Sequence, residues 1–195
     1  PIRFGFSSQV AFCTTPHGLY GFSSTPHSKG TGYVCKANVK AGKWEIFNDK
    51  GPKGHNEHDF LAYDSKRDRL LHFRSKGAEV NAFSFKTNTW EKEQCAGKAP
   101  GSVKGDATYI PEMDAVLTVF AKKLWFYKCS EKKWYTAPSV GDPFRGENKS
   151  GRDNSPIYDP ELKVVVRITP TGFAAWLNVH VMRLEPASLK LTELQ

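Results

Sequence analysis

No apolar run in this sequence approaches the ~20 residues that a membrane-crossing helix requires, which excludes a helical span. No charged-then-apolar signal segment opens the chain either, and Pro1 rather than Met stands first, as expected of a processed or trimmed chain. A Gly-rich phosphate loop, a Gly-x-Ser-x-Gly elbow and a zincin motif are all missing, so three common catalytic chemistries have no motif to rest on. Cysteine is scarce. Cys13, Cys35, Cys95 and Cys129 show neither a C-x-x-C nor the paired spacing of a structural zinc site. In an oxidising compartment they allow three pairings, and spacing does not choose among them. No segment carries a helical pattern of apolar residues. What remains is ordinary globular composition, 39% hydrophobic and 25% charged, with 28 Lys+Arg against 20 Asp+Glu for a net +8. That composition excludes a disordered or collagen-like chain.

The positive signal is repetition. Trp44, Trp90 and Trp134 stand 46 and 44 residues apart. Five residues before each lies Val39, Phe85 or Cys129, at the end of an alternating segment followed by a polar turn. Alternation, a short turn and a second strand describe a β-hairpin. A weaker fourth copy, Met182-Arg183-Leu184 followed by Leu189, keeps the five-residue step without the Trp. A second marker runs in phase: Tyr63, Tyr109 and Tyr158, 46 and 49 residues apart, each open a turn that leads into an apolar strand. Those strands are Leu70–Phe73, Val116–Phe120 and Val164–Ile168, and residues 12–22 form a degenerate first copy. Each unit thus holds four short strands in about 44–51 residues.

Four strands per ~40–50 residues is the size of a β-propeller blade. The Tyr-Asp turn, the apolar strand, the alternating strand and Thr87-Asn88-Thr89-Trp90 resemble a kelch-type propeller repeat over roughly residues 10–191. The double glycine that ends the second strand of typical kelch repeats is replaced by Phe73-Arg74-Ser75, Phe120-Ala121-Lys122 and Ile168-Thr169-Pro170. The resemblance therefore implies a divergent relative, similar to galactose-oxidase-type propellers in fold. It carries over no copper ligands, because no matching set of positions stands here. The expected fold is all-β, a propeller of four-stranded antiparallel blades at roughly 10–50, 58–96, 105–140 and 154–191. Residues 1–195 then form a single propeller domain or a propeller fragment. An antiparallel sandwich of eight or more strands is the alternative. Four units are fewer than kelch rings usually contain. The chain is therefore expected to be a piece of a longer polypeptide, a rare four-bladed ring, or part of a ring completed by other chains.

Up-and-down strands place the short a–b and c–d turns on one face of the disc and the long b–c and d–a loops on the other. The long loops, 23–31, 48–58, 93–106 and 138–155, are Gly- and Pro-rich, and loops of that kind on a rigid scaffold usually carry function. Most of the excess charge lies in two outer hairpins, 33–44 and 121–134. A dispersed lysine rim of this kind reads as a solvated edge and argues against a nucleic-acid surface, leaving a glycan or a protein as the expected partner.

The densest polar cluster is His55-Asn56-Glu57-His58-Asp59, with His27 expected on the same face. His55, Glu57 and His58 are candidate ligand-binding residues. His27, His55 and His58 are candidate ligands for a divalent metal, although no motif requires a cofactor. A solvated loop that caps a strand is the competing reading. Phe144, Arg145 and Arg152 in the loop 142–153 form a second candidate, with arginine forks for carboxylate or sulfate and an aromatic ring for sugar stacking. Asn148-Lys149-Ser150 is an N-glycosylation sequon. The repeated tryptophans read as blade-packing residues, and Cys129 as a small buried hydrophobe. The expected function is a binding module whose long-loop face contacts a glycan or a protein. The alternative is a secreted polysaccharide lyase or hydrolase using His or Arg residues of that face. Extracellular or periplasmic localisation accords with the cysteines and with the family's frequent setting.

Overall fold

The computed structural model describes residues 11–23, 31–53, 59–103, 106–120, 123–138, 155–170 and 177–194. The alternating segments form sixteen strands, and one 3-10 turn, Pro111–Met113, is the helical element among the described residues. Blade one consists of β1 (Ala11–Thr15), β2 (Gly18–Ser23), β3 (Thr31–Asn38) and β4 (Lys43–Lys53). Blade two consists of β5 (Phe60–Asp64), β6 (Arg69–Phe73), β7 (Val80–Ser84) and β8 (Thr89–Lys92). Blade three holds β9 (Ala107–Ile110), β10 (Ala115–Phe120), β11 (Lys123–Lys128) and β12 (Lys133–Ala137). Blade four holds β13 (Ser155–Asp159), β14 (Val164–Pro170) and β15 (Leu177–Arg183). Within each of these blades the pairings are antiparallel between chain neighbours, so the architecture is an all-β, four-bladed propeller.

The final strand, β16 (Thr192–Glu193), departs from the simple repeat. Rather than flanking β15, it pairs with β12 on the outer edge of blade three, with Tyr135 opposite Glu193 and Thr136 opposite Thr192. The five-residue step from Leu184 to Leu189 thus leads through a turn at Glu185–Ser188 towards the neighbouring blade. Leu189 and Leu191 pack on the core between blades three and four, which gives this crossing its apolar anchor.

The repeat markers have a structural reason. In each c–d turn a left-handed residue stands two positions before the tryptophan: Gly42 (φ 60°), Asn88 (φ 54°) and Lys132 (φ 53°). In the a–b turns Asp68, Asp114 and Lys163 hold φ near 50°, five residues after Tyr63, Tyr109 and Tyr158. The tyrosine hydroxyl fastens that turn where an aspartate occupies it, at 2.7 Å for Tyr63–Asp68 and 2.8 Å for Tyr109–Asp114. Blade one has a two-residue turn between Thr15 and Gly18 instead, which is why its copy of the marker is degenerate.

Among the described residues, three apolar cores lie between successive blades. Tyr20, Phe22 and Val34 of blade one meet Leu61, Leu70 and Phe83 of blade two. Leu71, Phe73 and Val80 of blade two meet Val116, Tyr127 and Trp134 of blade three. Leu117, Leu124 and Phe126 of blade three meet Val165 and Leu184 of blade four. Each tryptophan of an inner seam packs on a phenylalanine of the preceding blade, Trp90 on Phe22 (5.4 Å) and Trp134 on Phe73 (5.7 Å). No buried cluster among the described residues joins blade four to blade one. The innermost strands β1, β5, β9 and β13 together line a central cavity of about 490 Å³.

Candidate functional site

The turn face carries a cleft of about 470 Å³ where blades one and two meet. Its floor is aromatic: Tyr20 from β2, Phe47 from β4, and Phe85 just after β7. Tyr20 and Phe47 meet edge-on with ring centres 5.4 Å apart, and Phe85 lies 5.1 Å from Tyr20. The rim is polar. His17, in the β1–β2 turn, bonds through Nε2 to Asp68 Oδ1 at 2.6 Å, while its ring rests on Phe85 at 4.6 Å. Asp68 also accepts the Tyr63 hydroxyl, and these two bonds hold its carboxyl below the usual range. The Asp68 carboxylate can only accept, so Nε2 is the donor of this pair. Lys36 lies over the Tyr20 ring at 5.7 Å, and Lys86 completes the rim. Neither lysine forms an ion pair among the described residues. An aromatic floor beneath two cations and an oriented imidazole suits a flat, anionic ligand.

The neighbouring seam is built differently. Arg67 grips Asp114 of blade three with both terminal nitrogens at 2.8 Å and reaches Asp64 at 3.0 Å. Arg69 bonds Asp64 at 2.9 Å and Glu93 at 2.7 Å, and Glu93 also receives the Tyr127 hydroxyl. Asp64 and Glu93 are fully enclosed, so each carboxylate meets the cations that its burial demands. Arg67 is the leading cause that holds the Asp114 carboxyl well below the usual range, and burial followed by Glu93 drives the Tyr127 phenol upward. These charges are consumed in joining two blades and leave nothing for a ligand.

The sequence-predicted site residues His27, His55, Glu57, His58, Phe144, Arg145 and Arg152 lie outside the described residues. Among the described residues, no three His, Cys, Asp or Glu side chains converge into a metal-holding group. Of that loop cluster only Asp59 is described. It is buried, accepts the Ser75 amide at 2.8 Å and stands 3.4 Å from His72. His17 and Lys86 escaped attention in the sequence because each is a lone residue of a short turn. Phase alone could have paired His17 with Asp68, since both turns belong to the same position of consecutive repeats. All four cysteines are free thiols. Burial raises Cys13 and Cys35 to about 12 and also pushes Cys95 and Cys129 up. Cys129 is buried in the seam between blades two and three, as its strand phase requires.

No protein-family model matches the sequence, and no curated protein matches it. Among solved structures, TolB from Acinetobacter baumannii is 10% identical, with a TM-score of 0.51 over 95% of this chain and 42% of that one. The chain therefore spans less than half the length of TolB. Hydrazine synthase from Kuenenia stuttgartiensis is 12% identical, with a TM-score of 0.45 over 96% of this chain and 66% of that one. At such identities the TolB likeness is one of fold alone.

Proposed function

We propose that the chain is a divergent kelch-type propeller unit, complete or an arc of a larger ring, that serves as a binding module for a glycan or a protein outside the cytoplasm. An acidic glycan is the favoured ligand. The observation that carries this reading is the cleft between blades one and two, lined by Lys36, Lys86 and His17 together with Tyr20, Phe47 and Phe85, with Lys36 over the Tyr20 ring and His17 against Phe85. Apolar sugar faces stack on aromatic rings, and carboxylate or sulfate groups pair with lysine. The long-loop residues His55, Glu57, His58, Phe144, Arg145 and Arg152 form a second contact face in the same reading. Titration calorimetry with oligogalacturonate, a sulfated oligosaccharide and a neutral cello-oligosaccharide tests it. Binding is expected for the charged ligands only and is expected to weaken at least tenfold in the Lys36→Ala/Lys86→Ala double variant. Binding lost instead in His55→Ala/His58→Ala or Arg145→Ala/Arg152→Ala would move the site to the long loops. Absence of binding to any of the three ligands refutes the glycan reading.

One observation favours the enzymatic alternative, a polysaccharide lyase or hydrolase. The carboxylate-oriented imidazole of His17 is the arrangement in which histidine acts as a general base. Turnover of an acidic polysaccharide that disappears in His17→Ala, while ligand binding persists, would establish it.

A further inference from the structure

Two seams of the turn face, between blades one and two and between blades two and three, share one device with a single part exchanged. Asp68 and Asp114 stand at the same repeat phase, both in the left-handed region at φ 49°. Each accepts the hydroxyl of the tyrosine five residues earlier, Tyr63 at 2.7 Å and Tyr109 at 2.8 Å. Each also receives a nitrogen from the a–b turn of the preceding blade. For Asp114 that donor is Arg67, whose guanidinium stays charged at every pH a protein meets. For Asp68 it is His17, at 2.6 Å. Histidine is the side chain that gains and loses its charge near neutrality. The position that holds a permanent cation in one seam thus holds a titratable group in the other.

The exchange falls where it changes a binding surface. The His17 side chain is 42% exposed and lines the cleft between blades one and two. The charged and titratable groups that line it too are Asp68 from the β5–β6 turn, Lys36 from β3, Lys86 after β7 and Tyr20 from β2. Tyr63 of β5 donates to the same Asp68 oxygen that His17 holds. With His17 neutral, two lysines against one carboxylate give the cleft a formal charge of +1; with His17 protonated it is +2.

We propose that His17 makes this cleft an acid-strengthened anion site, in which its protonation opposite Asp68 adds a third cation to Lys36 and Lys86. This rests on the cleft being the place where the acidic glycan binds. The glycan is then held more tightly in a mildly acidic medium and released towards neutrality. A general-base role for His17 needs the neutral imidazole and therefore runs in the opposite direction along the pH axis.

Titration calorimetry with a sulfated cello-oligosaccharide, whose sulfate esters stay ionised throughout, tests the proposal at about pH 5.5 and about pH 7.5, on either side of the histidine range. The wild-type association constant should rise about threefold on acidification, the effect of one exposed ion pair. In His17→Gln the constants at the two pH values should coincide. His17→Arg places in this seam the cation that Arg67 supplies in the next. Its constant should also be flat, and at the higher pH it should approach the acid value of the wild type. A wild-type constant that does not change, or a rise that persists undiminished in His17→Gln, overturns the inference and leaves the cleft as the glycan site. A rise abolished by His55→Ala/His58→Ala overturns it as well, by moving the switch to the long loops. Absence of binding at both pH values refutes the glycan reading itself, and the acid-strengthened site with it.

Discussion

Arg67→Ala removes the charged bridge between blades two and three. Its guanidinium makes two contacts of 2.8 Å to Asp114 and two, of 3.0 and 3.3 Å, to Asp64. Charge-assisted hydrogen bonds contribute ~1.5–3 kcal/mol each, so simple addition would overstate the loss. Arg67 is one-third exposed, which weakens its pairs, and Asp64 keeps Arg69 after the substitution. Asp114 keeps Tyr109 but loses its neutralising cation while only 13% exposed. The net destabilisation should be about 2–3 kcal/mol, a fall in Tm of roughly 4–12 °C for a domain of this size. Arg67→Lys should recover less than half, because one ammonium cannot reproduce the fork that spans both carboxylates. The pH dependence follows from the depressed Asp114 carboxyl. Its contribution is complete above the unfolded carboxylate pKa of about 3.9 and is lost as pH falls through the lower folded value. Urea unfolding of both proteins should thus show a constant difference from pH 8 to pH 5 that narrows below about pH 4. A difference within about 0.5 kcal/mol at pH 7, the ordinary spread of surface substitutions, would refute the reasoning. So would a gap that widens on acidification.

Trp134→Ala should cost about 3–5 kcal/mol in urea unfolding, because the ring is buried between Phe73 and Tyr127. Gly32→Ala should lower stability by about 1–3 kcal/mol, since an added Cβ would stand 2.1 Å from the Phe22 ring and 2.7 Å from the Pro52 carbonyl oxygen; a thermal shift within error would contradict that packing. The cysteines should resist Ellman's reagent at pH 8 in the native protein and all four should react once unfolded, because burial raises each thiol above its ordinary value and cuts its thiolate fraction; rapid native labelling of Cys35 would contradict the burial.

The blade count, the strand order within blades and the blade-packing role of Trp90 and Trp134 are legible in the sequence because each recurs wherever the same seam must be filled. Asp68 and Asp114 were visible as turn residues for the same reason: a left-handed position recurs at one phase. Their partners carry no local signal, because Arg67–Asp114 and His17–Asp68 join residues 47 and 51 apart, about one repeat, and are related through the phase of consecutive blades alone. No local pattern reports such a distance. The pairing of β16 with β12 was hidden likewise, since two strand residues carry too little alternation to name an edge. The long-loop candidates rested on composition alone, which identifies suitable chemistry without a geometry to bring it together.

The β12–β16 pairing changes how the molecule comes apart. In a linear array of repeats each terminal unit can fray by itself, at the cost of a single interface. Here the whole of blade four lies, along the chain, between two strands that are hydrogen-bonded to each other. Releasing its core from blade three also strips Leu189 and Leu191 from that core and draws β16 away from β12. The carboxy-terminal half therefore opens as a unit of two blades, and blade one, held by one apolar seam among the described residues, is the end from which unfolding begins.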